Sequence, residues 1–231
     1  MDLEGNLLGY RVITQDFCNA SIWLRMASAT IASGTALIVQ TETDADSFAS
    51  GIDTHTGKSL WKKVRPKRAN WTSPTMITEK GGRTLALLQS SRGLDAIIPK
   101  TGELVWSYEK GASTIPSSVV VGDSVLIPSN GLTALRHIPG KEPEQLWNQN
   151  RLGPGTASPL SLGDRVFVVN SASVLQSADI LTGSIHWRLR LKGPFSSTPV
   201  AAGKSLYFVN EEGLLQIVDV SGEKGEISAE H

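Results

Sequence analysis

The sequence predicts an all-β fold, a β-propeller of four-stranded antiparallel blades, and three observations predict it. Trp61, Trp106, Trp147 and Trp187 recur at steps of 45, 41 and 40 residues, each closing a short polar turn. A strand-opening pair follows each tryptophan, Ser73-Pro74, Ser117-Ser118, Ser158-Pro159 and Thr198-Pro199, at steps of 44, 41 and 40. Between these markers lie short apolar runs bounded by turn formers, and no segment longer than a turn carries helical periodicity. Two independent markers holding one period of roughly 40 to 50 residues are the signature of propeller blades of about four strands each.

Taken in order, the units are 1–23 (partial), then the whole blades 24–66, 67–112, 113–153 and 154–193, then 194–231 (partial). The first stretch carries a turn phase at Asp2-Leu3-Glu4-Gly5, and Asp219-Val220-Ser221-Gly222 repeats it at the far end. Within a unit the order is the Pro strand, a Gly turn, an apolar strand, a second turn, a third strand, a Thr-Gly turn and the Trp strand. The second strand reads Ala36-Leu37-Ile38-Val39, Leu85-Ala86-Leu87-Leu88, Val125-Leu126-Ile127, Arg165-Val166-Phe167-Val168-Val169 and Leu206-Tyr207-Phe208-Val209. Such near-continuous apolar runs belong to strands covered on both faces, as in a blade between two neighbours. Gly57, Gly102, Gly140 and Gly183 are expected at the positive-φ position of the turn before the Trp strand, with Asp53 and Asp179 accepting turn amide hydrogens. The four tryptophans are expected as wedges between adjacent blades, a structural role. Because the first residue falls inside a blade, the sequence predicts a piece of a larger ring.

Composition narrows the function classes. Lys and Arg number 22 against 22 Asp and Glu, so no global field favours nucleic acid or an anionic membrane. One cysteine, Cys18, excludes an intrachain disulfide and any zinc site with two or more Cys ligands. No apolar stretch reaches the length of a membrane span, and Met1-Asp2-Leu3-Glu4-Gly5 does not read as an export leader.

The segment Gly51-Ile52-Asp53-Thr54-His55-Thr56-Gly57-Lys58-Ser59-Leu60-Trp61 resembles the tryptophan-docking repeat of pyrroloquinoline quinone propellers, Ala-x-Asp-x-x-Thr-Gly-Lys-x-x-Trp, differing only at its first position. Asp179 to Trp187 repeats it, and Lys100 to Trp106 does so more weakly, with Ile98 at the Asp position. The third unit departs most: Arg136 replaces the Asp, and Glu142-Pro143-Glu144 lengthens the turn before Trp147. WD-repeat propellers share the period, but none of the six tryptophans here is followed by Asp. The resemblance implies one of two lives. Quinone-dependent dehydrogenases of this family hold calcium through Glu, Asn and Asp side chains, and many carry an adjacent Cys-Cys disulfide that a single cysteine excludes. Members without that site are binding scaffolds, including the lipoprotein of the outer-membrane β-barrel assembly machinery. By resemblance, the location is periplasmic or extracellular.

The irregular segments supply the candidate chemistry. Glu42, Asp44 and Asp46 alternate on the loop between the second and third strands, a weak calcium candidate without the later Gly and distal Glu of an EF-hand. Between the first and second blades runs Lys62-Lys63-Val64-Arg65-Pro66-Lys67-Arg68-Ala69-Asn70-Trp71, where Arg65, Lys67, Arg68 and Trp71 form a candidate partner-binding patch for an acidic peptide, a sugar or a phosphate. His55, His137 and His186 sit one per unit on separate blades and do not converge. Asn19-Ala20-Ser21 and Asn70-Trp71-Thr72 match the glycosylation tripeptide. No catalytic residues are assigned: the chain has no Gly-rich phosphate loop, no Gly-x-Ser-x-Gly elbow and no His-Glu-x-x-His helix.

The expected function is a non-enzymatic propeller that binds protein or peptide, possessing no cofactor. The alternative is part of a quinone-dependent dehydrogenase, with pyrroloquinoline quinone and calcium as cofactors only in that case. A glycan-binding propeller using Trp71 and Tyr207 as platforms is the third reading.

Overall fold

The structure, a computed structural model, describes residues 30–32 and 36–231, with side chains from residue 36 onward. The partial unit at 1–23, the turn phase at Asp2 to Gly5, the leader reading, Cys18 and the Asn19 tripeptide lie outside the described residues. The described chain is all-β, as the spacing predicts, and forms five four-stranded antiparallel sheets, each a meander in chain order. The first holds β1 (Thr30–Ala32), β2 (Ala36–Thr41), β3 (Phe48–Asp53) and β4 (Ser59–Val64). The second holds β5 (Thr75–Thr78), β6 (Thr84–Ser90), β7 (Gly93–Ile97) and β8 (Leu104–Tyr108). The third comprises β9 (Val119–Val121), β10 (Ser124–Ile127), β11 (Leu132–Arg136) and β12 (Glu144–Gln149). The fourth comprises β13 (Leu160–Leu162), β14 (Arg165–Val169), β15 (Val174–Asp179) and β16 (Ile185–Arg190). The fifth comprises β17 (Val200–Ala202), β18 (Ser205–Val209), β19 (Leu215–Asp219) and β20 (Glu226–Glu230).

The apolar second strands become the cores of their blades. Every residue of β6 and of β10 is buried, since each face of the sheet meets a neighbouring sheet. One cluster joins Leu87 and Leu94 of the second sheet to Val125 and Ile127 of the third, and another joins Phe167 and Leu175 of the fourth to Leu206 and Phe208 of the fifth. The core is thus a series of seams between blades.

At the inner edge, the strand-opening residues form a hydrogen-bonded staircase. The backbone N–H of Ser73 donates to Ser117 Oγ at 2.9 Å, that of Ser117 to Ser158 Oγ at 3.0 Å, and that of Ser158 to Thr198 Oγ1 at 3.3 Å. Each small hydroxyl therefore accepts the amide of the preceding blade, which fixes the inner ends of four blades at one level.

The outer edge is fixed by the tryptophans. Trp61 lies against Gly102 of the next blade, where an added Cβ would come within 2.6 Å of the indole, and its N–H donates to Pro99 O at 2.7 Å. Trp147 repeats this against Gly183, with its N–H on Ile180 O at 2.9 Å. The Trp187 ring lies against Gly225 likewise, where an added Cβ would collide with the indole, but its N–H has no partner among the described residues. A flat ring laid on backbone needs a residue without a side chain beneath it. Trp106 differs. Gly140 has no neighbour within 4 Å of a built Cβ, and the Trp106 N–H donates instead to His137 Nδ1 at 2.9 Å.

The segment 194–231, which the sequence reads as a partial blade, contains four paired strands. Its last strand escapes the pattern because it has no tryptophan. In each earlier blade a bulge precedes the Trp pair, as in Ser177 opposite Trp187, and in β20 the equivalent pairing is Ile217 opposite Ala229. The fifth blade therefore receives a docking tryptophan but presents none.

Candidate functional site

In a meander, the β2–β3 hairpin and the β4–β5 link emerge at the same end, so the acidic loop and the basic link share one face of the propeller. They are also physically joined. Glu42 and Asn70 form an isolated antiparallel bridge, and Asp44 Oδ1 accepts the Ala69 N–H at 3.2 Å. Inside this junction Arg65 Nε donates to Glu42 Oε1 at 2.8 Å, Nη1 pairs with Asp95 Oδ2, and Nη2 donates to Leu88 O at 3.1 Å. Asn70 Nδ2 donates to Glu42 Oε2 at 2.8 Å and also to Gln89 O, while Gln40 Nε2 reaches Glu42 Oε1 at 3.0 Å. The result is a buried polar knot that ties the first blade to the second.

Three sequence expectations change here. Arg65, expected on the partner-binding patch, is only 7% exposed and its charge is met by two carboxylates. Its position follows from the chain's direction: the link folds inward after the exposed Val64, and a guanidinium so buried needs partners on both sides. Glu42, expected beside Asp44 and Asp46 as a cation ligand, is 1% exposed and turned toward Arg65, whereas Asp44 and Asp46 are exposed. Burial pushes the Glu42 carboxyl above the usual carboxylate range, against the lowering pull of Arg65. No group of three or more His, Cys, Asp or Glu side chains among the described residues is placed to hold a metal ion. Asn70 is fully buried with its amide engaged, so its tripeptide offers no glycan acceptor in the folded protein.

Lys67, Arg68 and Trp71 remain on the surface, Trp71 at 42% exposure. Trp71 lies at the inner end of the link and, with Ile115, rims a depression of about 460 Å³ whose other lining residues are Ser73, Ser117, Thr156, Ser158, Ser196 and Thr198. Four of these hydroxyl residues, Ser73, Ser117, Ser158 and Thr198, form the inter-blade staircase, so the depression sits where the inner strands begin. Its chemistry is hydroxyls and two apolar side chains. Calcium bound beside a quinone needs several hard oxygen ligands with charge among them, and none of these lining residues is a carboxylate or an amide. The lining does not fit that cofactor. Tyr207 lies on β18 and is not among these residues, so Trp71 and Tyr207 do not form one glycan platform.

Outward from the link, a cleft of about 620 Å³ opens on the flank between the first and second blades. Sequence reasoning missed it, because Val64 and Leu104 are apolar residues on Trp strands, where burial is the ordinary expectation. Val64 is instead 87% exposed and Leu104 52%.

The turns of the docking motif behave as short polar caps. Gly57, Gly102, Gly140 and Gly183 take φ of 68°, 70°, 72° and 70°. The Asp53 carboxylate accepts the Thr56 N–H at 2.7 Å, and the Asp179 carboxylate accepts the Thr182 N–H at 2.7 Å. Hydrogen bonds from Thr56 hold the Asp53 carboxyl below its usual range, and the Thr182 side chain does the same for Asp179. His55 and His186 are exposed and His137 is buried, on separate blades.

The family model for the outer membrane protein assembly factor BamB matches residues 19–143 and 141–228. Among solved structures, the fold is similar to BamB from Moraxella catarrhalis at 21% identity and a TM-score of 0.70, covering 89% of this chain and 60% of that one. It is also similar to the quinohemoprotein alcohol dehydrogenase from Comamonas testosteroni at 14% identity and a TM-score of 0.66, covering 89% of this chain and 42% of that one. This chain thus spans less than two thirds of either structure. No curated protein matches the sequence.

Proposed function

This chain belongs to the family of the outer membrane protein assembly factor BamB, and on that premise we propose that it is a non-enzymatic propeller that binds protein in the cell envelope. Recognition falls on the face built from inter-blade links and second-turn hairpins, where Lys67, Arg68 and Trp71 are exposed. The observation that carries the reading is the lining of the axial depression: hydroxyls with Trp71 and Ile115, and no carboxylate or amide to hold a cation beside a quinone. Such a surface offers contact area and hydrogen bonding without the charged groups that move protons or bind metal. The family match supports, as part of this reading, an envelope location and a part in outer-membrane protein assembly. Among the described residues no helix is long and apolar enough to cross a membrane.

The discriminating experiment is incubation of the full-length protein with pyrroloquinoline quinone and calcium. The scaffold reading predicts no dye reduction with alcohol or glucose substrates and no rise in melting temperature. Quinone-dependent turnover would replace it with the dehydrogenase reading.

A further inference from the structure

The flank cleft between the first and second blades is set apart from the other seams by a combination of two features. Lys67 and Arg92 line it, and neither forms an ion pair with any described residue. At the seam between the second and third blades Lys110 is tied to Gln145 at 3.0 Å, and between the fourth and fifth Lys192 is tied to Glu230 at 2.6 Å. The cleft also carries Val64 and Leu104 on its walls, both well exposed. A comparable cleft between the third and fourth blades, lined by Arg151 and Arg188, has half-buried Ile185 and buried Trp187 as its apolar members. Cations recur on the flank; cations beside well-exposed apolar side chains occur together in the first cleft.

We propose that this cleft binds an extended acidic segment of a partner protein, one in which carboxylates alternate with apolar side chains. Lys67 and Arg92 supply the attraction, and Val64 and Leu104 the apolar contacts. Glu109, also on the lining, leaves the exposed charge there at a net single positive, while Lys62, Lys63 and Arg68 extend the cationic field along the link. The buried Arg65, neutralised by Glu42 and Asp95, forms a rigid floor and contributes little to that field. A concavity of about 620 Å³ accepts side chains and a short stretch of backbone, not a folded domain. Its recessed charge also argues against a lipid surface, which needs cations on a protruding or flat face, and against nucleic acid, which needs many phosphate contacts.

This inference rests on the scaffold reading. The test uses the full-length protein and a labelled, end-capped peptide of alternating Asp and Leu, followed by fluorescence anisotropy at low and at physiological salt. The expected results are saturable binding that weakens with salt, and a loss of roughly tenfold or more on charge reversal at Lys67 and Arg92 together, or on Val64→Ser with Leu104→Ser. Reversal at Arg151 and Arg188 serves as the control and is expected to leave affinity within about twofold. All six positions are exposed, and an unchanged melting temperature confirms that each variant folds. Equal loss from both charge reversals would overturn the proposal, as would equal binding of a Lys-Leu peptide. Preference for anionic lipid vesicles or a DNA oligomer over the Asp-Leu peptide would overturn it in favour of those partners. Failure here without quinone-dependent turnover removes the cleft alone, whereas turnover removes the scaffold reading beneath it.

Discussion

Arg65 and Glu42 form an ion pair inside the seam between the first and second blades, Nε to Oε1 at 2.8 Å, with both side chains almost fully buried. In sequence they belong to two unrelated-looking segments, a basic link and an acidic loop. In the fold they are the two halves of one inter-blade joint, completed by Asp95, Asn70 and Gln40.

Arg65→Ala strands Glu42 and Asp95 in the seam, and breaking one partner of a buried pair costs about 3–5 kcal/mol. Lys67→Ala, two residues along and exposed, is expected within about 0.5 kcal/mol of wild type. Urea titration of the two variants checks this; equal stabilities would show that the joint contributes nothing.

The same joint sets a pH dependence. Burial raises the folded-state pKa of Glu42 above its ordinary value of 4.5, so in the window above that value the unfolded chain releases this proton before the folded one does. The contribution of Glu42 to stability therefore falls as pH rises through that window. Glu42→Gln removes the titration, and the melting temperature of wild type relative to this variant is expected to drop as pH rises above 4.5. Asp53 and Asp179 act in the opposite direction, since their lowered carboxyls stabilise the fold above 3.8 and lose that effect as pH falls below it. A wild-type-to-variant difference that does not change with pH would contradict the assignment to Glu42.

Gly140 and Gly183 share a positive φ, but only Gly183 lies under a docking indole. Gly140→Ala is expected to cost about 1–2 kcal/mol from the left-handed backbone alone. Gly183→Ala adds the collision with Trp147, at 2.7 Å from the built Cβ, and overpacking of this kind adds about 1–3 kcal/mol. Thermal denaturation of the two variants measures the gap, and equal losses would mean that the indole yields freely.

In the third blade His137 takes the place of a carbonyl, accepting the Trp106 N–H on Nδ1 while Nε2 lies 3.0 Å from Glu79 Oε1. That arrangement requires the neutral tautomer with its proton on Nε2, donated to Glu79. His137→Phe leaves an indole N–H and a carboxylate without this partner and is expected to cost about 1–3 kcal/mol, part of which Glu79→Gln in the same protein restores. A double-mutant cycle with no coupling between the two positions would contradict the chain of hydrogen bonds.

The repeat was legible because its cause is local: a turn needs Asp, Thr and Gly at fixed offsets, and a docking indole needs a Trp at a fixed distance beyond them. The all-β class and the blade order follow from that spacing. The fifth blade's last strand was not legible, because Ala229 occupies the docking position and leaves no marker. The candidate site was less accessible still. A run such as Lys62 to Trp71 shows charge but not direction, and only the folded link separates Arg65, turned inward, from Lys67 and Arg68, turned to solvent. The same holds for Glu42 against Asp44 and Asp46, and for Asn70, whose burial no tripeptide reveals. Val64 and Leu104 read as ordinary strand residues until their exposure between two blades is seen.

Site-specific photo-crosslinking in cells tests the central claim most directly, with the reactive residue placed at Lys67 or Trp71 on the link face and at Leu181, exposed in a turn on the opposite face. The account predicts a discrete protein adduct from Lys67 and Trp71 in the envelope fraction, and none from Leu181. Adducts from Leu181 alone, or none from any position in a protein that reduces dye with pyrroloquinoline quinone and calcium, would contradict it.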